Sequence, residues 1–393
     1  MQYIIGVAGL ALVFSMAFIV SNDRKKIKYK PILTMLVLQF VLGFLLLNTS
    51  AGNVLISTIA NGFTALLNCA REGINFVFGR LANPDDPIFF MSVLMPITFI
   101  SALIGILQHW HILPFIIKYI GLALSKVNGM GKLESYNAVA SAILGQSEVF
   151  ISVKKLLGPL PPNRLYTLCA SAMSTVSMSI VGAYMVMIEP KYVVTALVLN
   201  LFGGFIIASI INPYEVKPED DILVVAETKR QSFFEMLGEY ILDGFKVGVI
   251  VCAMLIGFVG IITLINNIFL GIIGISFQEI LGYLFSPFAF FMGIPMAECV
   301  DAASLMATKI VANEFVAMMQ LSSGTVILSA KSVAIVSIFL VSFANFSSIG
   351  IIAGAVKALN EEKGNVVACF GLRLLYGATL VSILNATIVG LII

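Results

Sequence analysis

The chain has 393 residues, of which 59% are hydrophobic and 11% are charged, and its formal net charge is +2. Soluble domains are about 45–50% apolar and about 25% charged, so this composition excludes a soluble globular protein and indicates a polytopic membrane protein. The small and dispersed net charge argues against a nucleic-acid partner, which leaves the lipid bilayer as the first predicted partner.

Cysteine and histidine give no sign of a metal site or a cofactor. The cysteines lie singly in apolar stretches without a CxxC spacing, which favours buried small side chains over disulfides or metal ligands. They are Cys69, Cys169, Cys252, Cys299 and Cys369. His109 and His111 flank Trp110 at the end of an apolar run, where we interpret them as interfacial residues rather than as a metal site.

Eight apolar stretches are long enough to cross a bilayer, which takes about 20 residues per helix. The predicted crossings are 3–21, 31–48, 88–108, 165–188, 192–211, 247–270, 332–356 and 369–392. Between the second and third crossings, residues 51–87 space polar side chains among apolar ones and predict an amphipathic helix along the interface. A second interfacial helix is predicted over 111–127, after the third crossing.

Basic residues set the predicted orientation, because Lys and Arg favour the cytoplasmic side of a membrane. The cluster Arg24–Lys28 follows the first apolar run instead of preceding it, which predicts a retained first helix with its N-terminus outside. Placing both termini outside puts 18 of the 23 Lys and Arg residues inside. The hydrophilic stretch 212–231 between the two halves then becomes a cytoplasmic loop.

Two polar turns interrupt apolar segments, and the first of these segments is too short and too polar to cross the bilayer twice. Residues 132–158 predict a re-entrant hairpin turning at Gly145–Glu148, since half of a ~30 Å hydrocarbon core takes about 10 helical residues. A second hairpin is predicted near 283–326, with its tip at Asn313–Glu314. Three crossings separate the hairpins, so they enter from opposite faces, as in the inverted repeats of secondary transporters.

Each hairpin precedes a crossing with a polar centre, at Ser174–Ser179 in the first half and Asn345–Ser348 in the second. Hydroxyls and an amide at mid-membrane depth indicate broken helices; the alternative is that Ser and Thr bond back to their own helix. The predicted fold is an all-α polytopic membrane protein. It has eight transmembrane helices, two re-entrant hairpins in an inverted repeat, and interfacial helices.

The polar residues at the turns and breaks can form one site with amides, hydroxyls and two carboxylates but no fixed positive group. These candidates are Gln146, Ser147, Glu148, Glu314, Asn345 and Ser348. Such a set suits a neutral polyhydroxylated or amide-bearing solute and does not suit an anion. Ile180 and Phe343 nearby can pack against a ring. Ionisable groups in a membrane interior are functional by default, which is why we assign the two carboxylates to a site.

Four segments carry a resemblance to the concentrative nucleoside transporters, in their bacterial NupC-type branch. They are Gly145–Glu148, Ser174–Ser179, Val311–Ala317 and Ser342–Ser348. The resemblance extends over essentially the whole chain and implies a homotrimer in the bacterial cytoplasmic membrane that imports nucleosides by alternating access. The division it implies is a scaffold over 1–127, a first transport repeat over 128–211, a loop and scaffold crossing over 212–270, and a second transport repeat over 271–393.

The same resemblance implies roles for the candidate residues. Gln146 and Ser147 are expected to bind the nucleobase directly, and Glu148 largely through water. The residues implied for the ribose hydroxyls are Glu314, Asn345 and Ser348, with Ile180 and Phe343 as apolar walls.

The resemblance also implies a coupling cation. Sodium-linked relatives place an Asn five residues before the Gln, whereas this chain has Ser141, whose shorter hydroxyl is a poorer oxygen donor at that reach. Burial and a neighbouring acid favour a protonated carboxyl, so protons are favoured over sodium. The coupling-ion candidates are Ser141, Leu144, Thr175, Val176, Glu148 and Glu314.

Two other functions stay open from the residues alone. Paired carboxylates could perform acid and base work in an intramembrane hydrolase, although no His-Glu-x-x-His motif or nucleophile elbow is present. A passive channel is the second alternative, and accumulation of solute against its gradient would exclude it. For Glu134 and Glu298 the sequence leaves two roles open, which are a functional role and capping of the hairpin helices.

Overall fold

The computed structural model describes residues 2–82, 88–217, 219, 221, 223, 231–324 and 326–393, and in these ranges it is helical with no β-strand. The helices of the first half are α1 Gln2–Ile19, α2 Tyr29–Asn48, α3 Ser50–Phe78, α4 Pro96–His109, α5 Ile112–Asn128, α6 Lys132–Leu144, α7 Val149–Ser152, α8 Lys154–Leu157, α9 Pro162–Ser174, α10 Met178–Met187 and α11 Pro190–Ile211. Those of the second half are α12 Phe233–Ile273, α13 Phe277–Phe291, α14 Cys299–Val311, α15 Glu314–Ser322, α16 Ala330–Leu340, α17 Phe346–Leu359, α18 Glu361–Cys369 and α19 Gly371–Ile392.

The all-α fold is confirmed, and two predicted crossings are interrupted where the polar runs lie. The fourth consists of α9 and α10, which we call the first broken helix, and the seventh consists of α16 and α17, the second broken helix. Non-helical backbone at 175–177 and 341–345 separates the halves.

The hairpins have the predicted turns but not both predicted lengths. Hairpin 1 consists of α6, the turn 145–148, α7 and α8, which together lie within the predicted residues 132–158. Hairpin 2 consists of α14, the turn 312–313 and α15, and so begins at Cys299 and not near residue 283. The preceding residues form α13, which packs along α14 as a separate helix. The prediction missed this boundary because residues 283–294 contain no charged side chain that would separate two helices.

Burial separates a core of helices from peripheral ones. In Pro162–Met187, Pro190–Ile211 and Gly371–Ile392, 78% of the most apolar stretch is buried, against 17% in Phe233–Ile273 and 11% in Ser50–Ala82. An apolar helix exposed along most of its length needs lipid or another subunit to cover it. The core therefore contains the broken helices and their neighbours, while α3 and α12 face outward.

Seven helices in the described ranges are long and apolar enough to cross a membrane, and Ser50–Ala82 is one of them. This helix leaves α2 through a sharp turn, in which Thr49 caps α3 and Gly52 lies against the carbonyl of Leu45. A Cβ on Gly52 would lie 2.0 Å from that carbonyl oxygen, so only glycine permits the turn. The interfacial orientation of 51–87 stays a prediction, and residues 83–87 lie outside the described ranges.

Helix α12 has 41 residues and begins at Phe233, well before the predicted crossing at 247. Ser232 and Glu235 form a capping box at its start, and Gly274 ends it in a left-handed conformation. At 1.5 Å per residue the helix is about 60 Å long, twice the hydrocarbon thickness. Of the predicted loop 212–231, residues 218, 220, 222 and 224–230 lie outside the described ranges.

Each hairpin is tied at its base to the broken helix that follows it. The Glu134 carboxylate accepts two hydrogen bonds from the Arg164 guanidinium at the start of α9, at 2.6 and 3.0 Å. Glu298 accepts hydrogen bonds from the backbone N–H and the hydroxyl of Ser329, at 3.1 and 2.9 Å, where Ser329 caps α16. Neither acid caps its own helix with its side chain. Both therefore hold the base of a hairpin against its neighbour.

Candidate functional site

The first broken helix divides its hydroxyls between two tasks. Ser174 and Thr175 donate back to carbonyls one turn earlier in α9, at 2.7 and 3.1 Å, which is the local bonding common in membrane helices. Ser177 instead caps α10 and donates to the carbonyl of Leu144 in hairpin 1, at 3.3 Å. The break therefore lets a side chain of this helix reach the tip of hairpin 1.

The second broken helix restarts at a capping asparagine. Oδ1 of Asn345 accepts from the backbone N–H of Ser348 at 2.9 Å and from the hydroxyl of Ser347 at 2.7 Å, which satisfies the free end of α17. Just before it, the backbone N–H of Phe343 donates to the carbonyl of Thr175 at 3.1 Å. This bond places the two breaks side by side.

The tips of the hairpins meet these breaks with different chemistry. Gly145 turns hairpin 1 with a φ of 112°, and a Cβ there would lie 2.8 Å from a carboxylate oxygen of Glu148 and 3.2 Å from Cβ of Ser177. In hairpin 2, Oδ1 of Asn313 caps α15 by accepting from the N–H of Val316 at 3.0 Å. Glu314 is the first residue of α15, where the helix dipole favours a negative charge.

Glu314 lies at the centre of the site and is only 3% exposed. Its Oε1 accepts a hydrogen bond from the Tyr184 hydroxyl at 2.8 Å, and its Oε2 accepts one from Nδ2 of Asn345 at 2.9 Å. An ionised carboxylate has about four acceptor positions, so each oxygen keeps one for a further donor. Residues from α10, hairpin 2 and the second broken helix thus converge on one carboxylate that can still receive two hydroxyl groups.

Tyr184 is a residue of this site that the sequence prediction missed. It is fully buried, and its ring packs edge-on against Phe315 with centroids 5.1 Å apart. A signal was available, because Tyr184 follows the predicted Ile180 by four residues and therefore lies on the same face of α10. Its hydroxyl is the polar tip of that face.

Two predicted ligands have buried polar atoms without a protein partner. Oε1 of Gln146 and Oγ of Ser348 make no hydrogen bond to any described residue, and the two residues are 8% and 1% exposed. Leaving a buried polar atom unpaired costs about 1–3 kcal/mol, so such atoms usually serve a ligand or water. Ile180 and Phe343 are buried as predicted, at 8% and 6% exposure.

Glu148 differs from Glu314 in its surroundings. Its side chain is exposed and accepts a hydrogen bond from the Ser147 hydroxyl at 3.1 Å.

Three of the predicted coupling-ion residues are buried near the tip of hairpin 1. The Ser141 hydroxyl donates to the carbonyl of Asn137 at 2.6 Å and accepts from Nδ2 of Asn137 at 3.5 Å, so its oxygen keeps one lone pair for a cation. Ser141, Thr175 and Val176 are each at most 1% exposed, whereas Leu144 is only partly buried. Nδ2 of Asn137 donates to Leu168 at 3.0 Å while its Oδ1 stays without a partner, which adds an amide oxygen one turn before Ser141. The described residues contain no cluster of three His, Cys, Asp or Glu that could hold a metal ion.

Family models cover most of the chain in three segments. Residues 8–81 match the N-terminal model of the Na⁺-dependent nucleoside transporters and residues 192–390 match its C-terminal model. Residues 90–191 match a model described as a gate for nucleoside recognition. The boundary between the last two falls in the first turn of α11, after the first broken helix.

Similar proteins and structures cover the whole chain. The purine nucleoside transport protein NupG of Bacillus subtilis is 37% identical over 397 residues and covers 100% of both chains. The nucleoside permease NupC of Helicobacter pylori is 31% identical over 406 residues, covering 98% of this chain and 97% of its own. A solved structure of CNTnw in an inward-facing substrate-bound state has a TM-score of 0.93 and 28% identity, covering 99% of this chain and 98% of its own. An outward-facing CNTnw variant has a TM-score of 0.94 and 28% identity, covering 100% and 98%.

Proposed function

Because this chain belongs to the Na⁺-dependent nucleoside transporter family, we propose that it is a secondary active symporter that imports nucleosides by alternating access. The observation that carries the proposal is the Glu314 carboxylate, held by Tyr184 and Asn345 with one acceptor position left on each oxygen. Adjacent hydroxyls of a ribose fit this arrangement. The matching family and structures are transporters and not enzymes, so the hydrolase alternative is dropped.

The proposed substrate contacts use the two buried polar atoms that lack a protein partner, Oε1 of Gln146 and Oγ of Ser348. Oε1 of Gln146 is an acceptor for an N–H group on a nucleobase edge, and Ser147 lies beside it at the tip of hairpin 1. The Ser348 hydroxyl and Glu314 then receive the ribose. Glu148, which is exposed, acts on the nucleobase through water.

The apolar walls complete the proposed pocket. Ile180 and Phe343 present buried side chains on the two broken helices, which the Phe343 to Thr175 backbone bond holds together at 3.1 Å. A planar base packs favourably against such surfaces. This combination of an apolar slot and a carboxylate recognises a neutral nucleoside and disfavours a phosphorylated one, because a phosphate would meet Glu314 with like charge.

For the coupling cation we propose protons. Sodium needs about five or six oxygen ligands. Ser141 supplies one hydroxyl, which already donates to the carbonyl of Asn137 at 2.6 Å. The remaining ligands would have to come mainly from Thr175 and the carbonyls of Leu144 and Val176. The Glu148 carboxyl, whose side chain the protein leaves exposed, is the group that we propose takes up and releases the proton.

The proposed assembly is a homotrimer in the bacterial cytoplasmic membrane. Its support is the exposed apolar surface of α12, in which 17% of the most apolar stretch is buried although the helix is 41 residues long. Scaffold helices from 1–127 and 212–270 would stay fixed while the repeats 128–211 and 271–393 move. The re-entrant position of both hairpins belongs to the same proposal. Cross-linking of single cysteines placed on α12 tests the assembly.

Uptake into proteoliposomes tests the function. We expect labelled uridine, adenosine and inosine to accumulate above their external concentration under an inward cation gradient, with the Glu314→Gln variant inactive. The matched control is Glu362→Gln, an exposed acid at the start of α18. Equilibration without accumulation would support the passive channel instead. Absence of any nucleoside uptake by folded wild-type protein would overturn the proposal.

A further inference from the structure

Lys309 is a lysine with no exposed surface, near the tip of hairpin 2. Its ammonium donates three hydrogen bonds, to the carbonyl of Phe339 at 2.6 Å, to the hydroxyl of Ser342 at 2.7 Å and to that of Ser382 at 3.0 Å. It also lies 4.6 Å from the centre of the Phe339 ring. Lysine is almost never fully buried without a paired charge, so this group needs an explanation.

The three acceptors mark the place where a cation is favoured. Helix α16 ends at Leu340, so the Phe339 carbonyl has lost its helical partner, and the negative end of the half-helix dipole points to the same spot. Hydroxyls from the break and from α19 complete the set. Half-helix C-termini with unwound carbonyls are the positions at which secondary transporters bind their coupling cations.

The two hairpins make this position comparable with Ser141. Helices α6 and α14 each have 13 residues, and each packs against the first half of the broken helix that follows it. Ser141 is the fourth residue from the end of α6, and Lys309 is the third residue from the end of α14. Ser141 and Lys309 therefore both lie in the last turn of the first helix of their hairpin, close to the tip.

Charge balance supports the same conclusion. The described residues place no carboxylate within ion-pair distance of Lys309. Glu314 follows Lys309 by five residues and is itself buried against neutral donors. The buried carboxylate of the substrate site and the buried ammonium thus compensate each other across the tip of hairpin 2.

We infer that the Lys309 ammonium is a fixed cation that fills, in the second repeat, the position that Ser141 and the neighbouring carbonyls leave open to an exchanging cation in the first. The inference rests on the proposed function, because it presupposes cation-coupled nucleoside uptake. An inverted repeat would offer two related positions for a cation, one in each half. Because Lys309 fills the second, only the position in the first half exchanges its cation with solution. One cation then moves with each nucleoside, and Lys309 positions Glu314 without touching the substrate.

The wild-type protein tests the stoichiometry without any substitution. In proteoliposomes, the nucleoside accumulation ratio is measured as the imposed cation gradient and membrane potential are varied, which gives the number of cations per nucleoside. We expect one. A value of two would overturn the fixed-cation inference and leave the proposed function standing, whereas no uptake under any gradient would overturn the proposed function itself.

Variants test the role of the charge. We expect Lys309→Met to weaken nucleoside binding by purified protein at least tenfold. The control is Lys331→Met, a partly buried lysine at the start of α16, and it should leave binding unchanged. In Lys309→Ala, methylammonium chloride should restore binding, because the small cation can enter the vacated space. Choline chloride at equal concentration is too large and should not. Wild-type binding by Lys309→Met, or equal effects of both salts, would overturn the inference.

Discussion

The side-chain amide of Asn345 joins the second broken helix to the acid at the tip of hairpin 2. Its Nδ2 donates to Glu314 at 2.9 Å, while its Oδ1 accepts from the N–H of Ser348 and so begins α17. One residue therefore fixes both the start of a half-helix and the orientation of the central carboxylate. An amide does both because it carries donors and an acceptor on one rigid plane.

Glu314→Gln should abolish nucleoside uptake while the protein still inserts and folds. The carboxylate accepts from Tyr184 and Asn345, and a glutamine amide would turn an NH₂ group toward one of these donors. The resulting unpaired donor costs about 1–3 kcal/mol, and an acceptor for the ribose is lost as well. Uptake assays beside the Glu362→Gln control measure the effect. Near-wild-type uptake would contradict the assignment of Glu314.

Tyr184→Phe tests the residue that the structure added to the site. The ring keeps its packing against Phe315, but Oε1 of Glu314 loses its 2.8 Å hydrogen bond. Hydrogen bonds to charged groups contribute about 1.5–3 kcal/mol, so nucleoside binding should weaken by roughly tenfold or more. Isothermal titration of purified protein measures this, with the exposed Tyr119→Phe as the matched control. Equal affinities of the two variants would remove Tyr184 from the site.

Part of this site follows from the sequence and part does not, for physical reasons. Polar runs at 174–179 and 345–348 predict the breaks because each interrupts an apolar helix, and that information is local. The roles of Tyr184 and Lys309 depend on partners 130 and 73 residues away, which no local pattern identifies. The start of α12 was missed for another reason, since charged side chains at 235–246 exclude it from an apolar window although they suit an exposed helix.

Deoxynucleosides should bind more weakly than nucleosides. The Ser348 hydroxyl is buried without a protein partner, and Glu314 keeps free acceptor positions, so a missing ribose hydroxyl leaves one of these groups unpaired. The expected penalty is ~1–3 kcal/mol. Competition of 2′-deoxy and 3′-deoxy forms against labelled nucleoside measures it in wild type and in Ser348→Ala. If Ser348 is a ribose ligand, its substitution should reduce the difference for one deoxy form only. An unchanged difference for both forms would exclude Ser348.

Breaking the ion pair at the base of hairpin 1 should destabilise the protein strongly. Glu134 is fully buried and takes two hydrogen bonds from Arg164 at 2.6 and 3.0 Å, and a third from Tyr214 at 3.0 Å. Removing one partner of a buried pair leaves an uncompensated charge, which costs about 3–5 kcal/mol. The thermal unfolding temperature in detergent should therefore fall sharply for Glu134→Gln and for Arg164→Gln. The double variant should lose less than the two single losses added together, and strict additivity would contradict the pairing.

The coupling cation gives the sharpest test of the chemistry around hairpin 1. We expect a protonophore to collapse uptake in sodium-free buffer, because Glu148 is exposed to water and Ser141 offers sodium only a hydroxyl. Glu148→Gln should then uncouple transport from pH while some exchange persists. Ser141→Asn should act in the opposite direction, because a longer amide oxygen near Thr175 and the Leu144 carbonyl adds a ligand for sodium, and uptake should become dependent on the sodium gradient. If wild-type uptake at fixed pH rises with an inward sodium gradient and ignores the protonophore, the hydroxyls and carbonyls of this site bind sodium and the proton hypothesis is wrong.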